Sequence, residues 1–405
     1  MSDRLHNPPP LGIRFAGRRW PSFQLCGLCG LAAAILLSMA LVRQLDLSPW
    51  LMAGQIVVAV ATFLCVVYVR KLVSGEERIT YYHHEIAVTL SAWLFLNALH
   101  APALPYLDVT LLGVGLFLAF GRIGCLLVGC CHGSPFRWGV RYGEEHAAAG
   151  FTAGFVGVPL FPVQVLEAAV ALLIVARGEV LALRAGVPGS AFTWYIIAYG
   201  AARFLLELLR GDPDRPFWAG LSQPQWFSLA CMASIAAGES AGKLPHTPWH
   251  GALTLGMVLL AGALVARRRF GTSVAFRLAQ PRHLAELAGA MRHLFSDADA
   301  SQSGVRISAT SLGIRISGGV LPDRCGPVRH YCISRRDGPI PRRAMASLAR
   351  IVSRLADGGD ATQILPGNGG VIHVILWHGP TSSRATPSVP STVPFANPSP
   401  VERRF

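Results

Sequence analysis

Apolar runs long enough to cross a bilayer recur along this chain, and they leave few folds open to it. A spanning helix needs about 20 mostly apolar residues, because lipid offers no partner to an unpaired backbone group. Such runs lie at 24–42, 50–70, 85–104, 106–131, 162–183, 190–209, 225–238 and 249–266. The seventh is short, and the fifth carries Arg177 and Glu179. The pattern predicts an all-α polytopic membrane protein of about seven to eight spans. Composition agrees: only 14% of the 405 residues are charged, 52% are hydrophobic, and the mean hydropathy is +0.43. A soluble domain carries about 25% charged residues. The first apolar run begins near Leu25 with no small-residue cleavage site after it, which predicts no cleavable signal peptide.

Loop charges orient the spans. Arg14, Arg18 and Arg19 precede the first, and Arg70, Lys71 and Arg78 follow the second. Arg137 and Arg141 follow the fourth, Arg210 and Arg215 the sixth, and Arg267, Arg268 and Arg269 the eighth. The alternate loops hold only Arg43, Arg184 and Lys243. Both termini are expected in the cytoplasm, with residues 1–23 as a cytoplasmic segment and 24–269 as the membrane domain.

After Arg269 the character changes. Residues 280–296 and 341–356 read as amphipathic helices, and Pro341 opens the second. The alternation from Val305 to Ile316 reads as strand, and Val371 to Trp377 as a buried strand. A small, soluble α+β domain is expected over 270–380. The Pro, Ser and Thr of 381–405 predict a disordered tail. Of the net charge of +14, +11 falls from Arg267 onward, where 19 arginines meet 8 acidic residues. A basic region could meet nucleic acid. Beside a membrane core, anionic headgroups are the simpler partner. No nucleic acid is expected, and the domain's own partner stays unassigned.

Polar groups within spans are costly and so mark function. Three stretches carry them. The first runs Gly121-Arg122-Ile123-Gly124-Cys125, then Gly129-Cys130-Cys131-His132-Gly133 and Trp138-Gly139. Its glycines suit close approach of a headgroup or of another helix, and an arginine amid them favours function over packing. The second is Pro162-Val-Gln164-Val-Leu-Glu167, whose Gln and Glu share a helix face or cap its start. The third is Arg203, Glu207 and Arg210, with Ser222 and Gln225 beyond. Arg203 and Glu207 are four apart and can pair, and a guanidinium suits a phosphate through paired hydrogen bonds.

Together these stretches resemble the prolipoprotein diacylglyceryl transferase family. That family's signature runs Gly-Arg-Ile-Gly-Asn, a Gly-Glu pair, a Gly and Trp-Gly. Gly121, Arg122, Ile123, Gly124, Gly129, Gly133, Trp138 and Gly139 match it. The family's Pro-x-Gln-x-x-Glu matches Pro162, Gln164 and Glu167. Its Arg-x-x-x-Glu-x-x-Arg matches Arg203, Glu207 and Arg210, and its Ser-x-x-Gln matches Ser222 and Gln225. The resemblance covers about residues 80 to 240. Two positions depart: Cys125 stands for the family's Asn, and Cys130 for its Glu. Upstream, Tyr82-His83-His84-Glu85 lies where the family has His-Gly-Gly.

The resemblance implies transfer of a diacylglyceryl group from phosphatidylglycerol to the lipobox cysteine of a prolipoprotein, in a bacterial inner membrane, without a cofactor. Sulfur displaces phosphate at carbon. Arg122 and Arg203 would hold the phosphate, Glu207 would orient Arg203, and His83 or His84 would be the base. Gly121, Gly124, Gly129, Gly133, Gln164, Glu167, Arg210 and Gln225 would bind substrate. Cys125, Cys130, Cys131 and His132 invite a metal reading. On a continuous helix the last three point apart, so no metal is expected. Two other readings stay open: a non-catalytic protein that keeps the lipid-phosphate site, and a thiol or metal protein on the same scaffold.

Overall fold

The computed structural model describes residues 8–377, apart from 16, 76–80, 185, 214, 271–276, 295–305, 322–327, 357–360 and 368–369. The tail expected at 381–405, Arg78 and Cys325 lie outside the described residues.

A hairpin of β1 (Gly12–Phe15) and β2 (Arg18–Pro21) leads into the first helix. Helices stand at all eight expected spans: α1 (Ser22–Gln44), α2 (Pro49–Ser74), α3 (Tyr81–Ala98) and α4 (Ala103–Val128). After β3 (Pro135–Val140) and the short α5 (Glu144–Ala148) come α6 (Val163–Arg184) and α7 (Ser190–Leu206). Two-residue strands β4 (Phe217–Trp218) and β5 (Leu221–Ser222) precede α8 (Gln223–Ser240) and α9 (Pro248–Phe270). Among the described residues, α1, α2, α4, α7 and α9 are long and apolar enough to cross a membrane on length and composition alone. The remaining three carry polar side chains that the bundle buries: Glu85 on α3, Gln164 and Glu167 on α6, Gln225 and Glu239 on α8. Leu36, Val57, Leu72, Leu173 and Leu259 are at least 66% exposed. A soluble protein does not leave that much apolar surface bare, and lipid covers it here. The chain is a multi-pass membrane protein with a small α+β domain.

α4 is the centre of the bundle, packing on α1, α6, α7 and α3. Asp108 of α4 caps α7: its carboxylate accepts from Gly189 N at 2.7 Å and Phe192 N at 2.6 Å. A carboxylate on the first amides of a helix offsets both unpaired N–H groups and the helix dipole.

The expected span 106–131 ends early, and this matters for the site. α4 stops at Val128 because Gly129 turns left-handed (φ 82), its N–H bonding Cys125 O at 3.0 Å. Cys130, Cys131 and His132 therefore lie beyond the helix and do not fan out around it.

The C-terminal domain has helices Pro281–Leu294 and Arg342–Leu355 on an antiparallel sheet ordered β6-β7-β8-β10-β9. The strands are β6 (Ile307–Ala309), β7 (Ile314–Leu321), β8 (Val328–Arg335), β9 (Ala361–Pro366) and β10 (Ile372–Trp377). The alternating stretch expected over 305–316 forms β6 and the start of β7, paired as a hairpin and turned by Gly313 at φ 73. The domain's core also takes in Tyr142, Phe151, Phe155, Val158 and Leu160. It is thus seated on the loop between α4 and α6.

Candidate functional site

Three helices bring the sequence-marked polar residues to one place. Arg122 comes from the last turns of α4, Glu167 from the first turns of α6, and Arg203 from the end of α7. Arg122 Nη2 lies 3.0 Å from Glu167 Oε1, and Arg203 Nε lies 3.5 Å from the same oxygen. Arg203 Nη1 lies 2.8 Å from Glu207 Oε2. Glu207 continues the α7 stripe on a single 3-10 turn, Glu207–Leu209. Arg210 Nη1 lies 4.0 Å from Glu207 Oε2, and Arg210 Nε binds Asp212 Oδ2 at 2.6 Å. Arg122, Arg203, Arg210, Glu167 and Glu207 are all at most 9% exposed. Three buried guanidiniums face two buried carboxylates, which leaves one net positive charge. Arg122 Nε and Gln164 Oε1 are buried with no hydrogen-bond partner among the described residues. A buried cation with an unused donor is costly, and an anion offsets that cost.

Two members of the network went unmarked by sequence reasoning. Tyr199 donates its hydroxyl proton to Glu167 Oε1 at 2.8 Å. It stands four residues before Arg203, so the four-residue stripe 199, 203, 207 carried the signal. Arg215 binds Glu207 Oε1 at 2.7 Å and Arg210 O at 2.8 Å. It lies past Pro213, where no periodicity speaks for it.

The other marked residues take various positions. Gln164 Nε2 donates to Cys130 O at 2.7 Å, pinning the loop after α4. Gln225 Oε1 accepts from Ser222 N at 3.0 Å, and its Nε2 donates to Phe204 O at 3.4 Å. It caps α8 and ties it to α7. Gly124 packs against Phe23 and Cys26 of α1. Gly133 leaves no room for a side chain, since a Cβ would stand 2.7 Å from Phe161 O. Of the four marked glycines, Gly121 alone borders open space. His83 lies between Arg70 Nη1, 3.1 Å from its Nδ1, and the Gln223 amide, 3.2 Å from its Nε2. The His84 ring stands 4.6 Å from that of Phe63 on α2. Those contacts are outside the arginine network.

Cys125, Cys130 and Cys131 are brought together, their Sγ atoms all within 4.8 Å of one another. Here the structure corrects the expectation that they diverge, and the reason is the turn at Gly129. His132 is not with them. It is buried, its Nδ1 2.8 Å from Gly133 O and its ring between Phe151 and Phe155.

Comparison with known proteins points to one family. The sequence model of one family, described as prolipoprotein diacylglyceryl transferase, matches residues 22–238. The chain is 32% identical over 146 residues to a phosphatidylglycerol–prolipoprotein diacylglyceryl transferase of Clostridium tetani, covering 36% of this chain and 56% of that protein. It is 32% identical over 164 residues to the enzyme of that name from Dehalococcoides mccartyi, covering 40% and 60%. Against the second such transferase of Clostridium perfringens it is 33% identical over 128 residues, covering 30% and 46%. The chain thus spans roughly half to three fifths of the length of the curated relatives it matches.

Proposed function

Because the chain belongs to the prolipoprotein diacylglyceryl transferase family, we propose that it moves a diacylglyceryl group from phosphatidylglycerol to the cysteine thiol of a prolipoprotein, in the bacterial inner membrane. The observation that carries this reading is the buried Arg122–Glu167–Arg203–Glu207–Arg210 network with its one unbalanced positive charge. Displacement at the glycerol carbon forms a C–S bond and breaks the C–O bond to phosphate. Negative charge gathers on the leaving phosphate. Arg122 and Arg203 are already fixed in position by Glu167 and Glu207, so they stabilise that charge without reorganising during the reaction. Tyr199 and Arg215 hold the two carboxylates in turn. His83 or His84 would take the thiol proton, as the resemblance implies.

The relatives' printed names supply the substrates, phosphatidylglycerol and prolipoprotein. The test is a transfer assay on the full chain in detergent, with phosphatidylglycerol, a lipobox peptide and mass spectrometry of the peptide. Mass gain on the peptide cysteine, with glycerol phosphate released, is the expected result. No product beside an active relative would defeat the reading and favour a lipid-binding protein that does no chemistry.

A further inference from the structure

The arginine network leaves one cluster of reactive side chains unused. Cys125 closes the end of α4, and Cys130 and Cys131 follow the Gly129 turn. Their three Sγ atoms all lie within 4.8 Å of one another, and none is in a disulfide. Three sulfurs bound to one zinc ion at about 2.3 Å stand about 4 Å apart. The observed spacing allows the three thiols to close on a single ion.

The surrounding backbone holds them there. Gln164 Nε2 donates to Cys130 O at 2.7 Å, Gly133 N to Phe161 O at 2.8 Å, and Gly211 N to His132 O at 2.9 Å. Cys131 is kept at φ 60, a left-handed conformation that costs a non-glycine residue energy and persists where the surroundings impose it. Ligands fixed in this way are what a metal site needs.

Charge and access agree. Zinc with three thiolates carries one net negative charge. Arg122 lies three residues before Cys125 on the end of α4, and the backbone of Arg210 pairs with Gly133, so positive charge stands at the same end of the bundle. Cys125 is buried and Cys130 is exposed, so the cluster is closed on one side and open on the other. Structural zinc sites fill all four positions, whereas three protein ligands leave a fourth for a reactant.

We propose that Cys125, Cys130 and Cys131 bind a thiophilic d10 cation, zinc first among them, as a three-thiolate centre whose fourth position receives the acceptor thiol. The binding site stands on its own, while the role given to the fourth position rests on the transferase reading. On coordination the acceptor S–H gives its proton to water, so that no histidine base is required, and the metal holds the thiolate at neutral pH. That sulfur attacks the glycerol carbon. The C–S bond forms, and the C–O electron pair departs on the phosphate beside Arg122 and Arg203. The thioether product, being uncharged, is a weaker ligand than a thiolate and leaves.

Full-length protein purified in detergent under reductant, loaded with Zn2+ and desalted, would be analysed for metal by mass spectrometry. One zinc per chain is expected in the parent and in Cys231→Ser. At least a tenfold fall is expected in Cys125→Ser, Cys130→Ser and Cys131→Ser. Loading with Co2+ should produce a thiolate-to-cobalt absorption band that the same three variants lose. Cys130→Ser, at the exposed position, keeps the comparison sound if a buried substitution unfolds the chain. Parent protein with three reduced, alkylatable thiols that takes up neither ion overturns the site. So does uptake that survives all three substitutions. The transfer assay separates the two readings. Metal bound without transfer upholds the site and defeats the transferase reading, and full transfer by metal-free protein removes the metal from the reaction.

Discussion

Arg122 of α4 and Glu167 of α6 meet through Nη2 and Oε1 at 3.0 Å, with both side chains withdrawn from solvent. Glu167 also takes Arg203 and the Tyr199 hydroxyl on that same oxygen. One carboxylate thus compensates guanidiniums from two helices. Removing it leaves two buried cations facing each other, and breaking a buried pair in this way costs about 3–5 kcal/mol. Glu167→Ala is expected to lower the melting temperature in detergent sharply. Glu167→Gln keeps the Tyr199 hydrogen bond and should melt closer to the parent while losing transfer. Equal melting of the parent and Glu167→Ala would show that the pair does not hold α4 to α6.

Arg203→Lys tests whether the planar fork matters or only the charge. A lysine keeps the charge but cannot reach Glu167 and Glu207 at once while presenting a flat pair of donors to a phosphate. Removal of one fixed donor from a developing anion costs about 10²–10³ in rate. Transfer by Arg203→Lys should fall by about that factor with an unchanged elution profile in size exclusion. Near-parental turnover would mean that Arg203 serves only as a general positive charge.

The bundle and the anion network were largely legible because both rest on short-range rules. Apolar run length located eight helices, and four-residue spacing put Arg203 and Glu207 on one face. The meeting of Arg122 with Glu167 was not legible, since nothing in local spacing ties residue 122 to 167, and the resemblance marked each residue without pairing them. The thiol cluster was misread for a physical reason: an apolar stretch through Val128 hides that Gly129 ends the helix by turning left-handed. In the C-terminal domain, the sequence pattern marked Val305–Ile316 by alternation and Val371–Trp377 as an apolar, buried strand. It left β8 and β9 unmarked, because His330 and Arg329 in one and Pro366 in the other interrupt their apolar pattern.

Gln225 stands in the family's Ser-x-x-Gln pattern, yet its amide is used within the protein. Its Oε1 accepts from Ser222 N and its Nε2 donates to Phe204 O. Gln225→Ala should therefore cost stability, about 1 kcal/mol for a lost capping contact. Transfer per folded molecule should stay within about twofold. A large loss of transfer with unchanged melting would return Gln225 to the substrate site.

His283 gives the C-terminal domain a pH dependence. The side chain is buried, with Nδ1 2.9 Å from Leu278 O and Nε2 3.1 Å from the Thr310 hydroxyl. A neutral ring satisfies both: Nδ1–H donates to the carbonyl, and Nε2 accepts from the hydroxyl. Burial, the largest influence, pushes its pKa below the ordinary 6.5. The unfolded chain then binds the proton more readily, so this stability is complete above about pH 6.5 and is lost as pH falls through and below it. Hydrogen exchange in 281–294, corrected for the intrinsic pH dependence of amide exchange, should rise as pH falls from 7.5 to 5. His283→Gln, which cannot take up that proton, should flatten the rise. An equal rise in the variant would place the sensitivity elsewhere.

Gly154 sets how closely the C-terminal domain sits on the loop after α5. A Cβ at this position would stand 2.5 Å from Ala285 O, a backbone atom of helix Pro281–Leu294 that cannot swing aside. Next to it, Arg292 reaches Glu144 Oε1 at 2.6 Å and the Ala153 carbonyl. These polar contacts are exposed and contribute little on their own. The apolar contacts of Phe151, Phe155 and Val158 with the domain core are the stronger tie, and a clash at Gly154 acts on them directly. Gly154→Val should expose both surfaces to limited proteolysis, cutting within 144–158 and after the arginines of 277–292 several times faster than in the parent. Arg292→Ala should change cleavage little. If the two variants were cut alike, the salt bridge and not the packing would hold the domain to the membrane bundle.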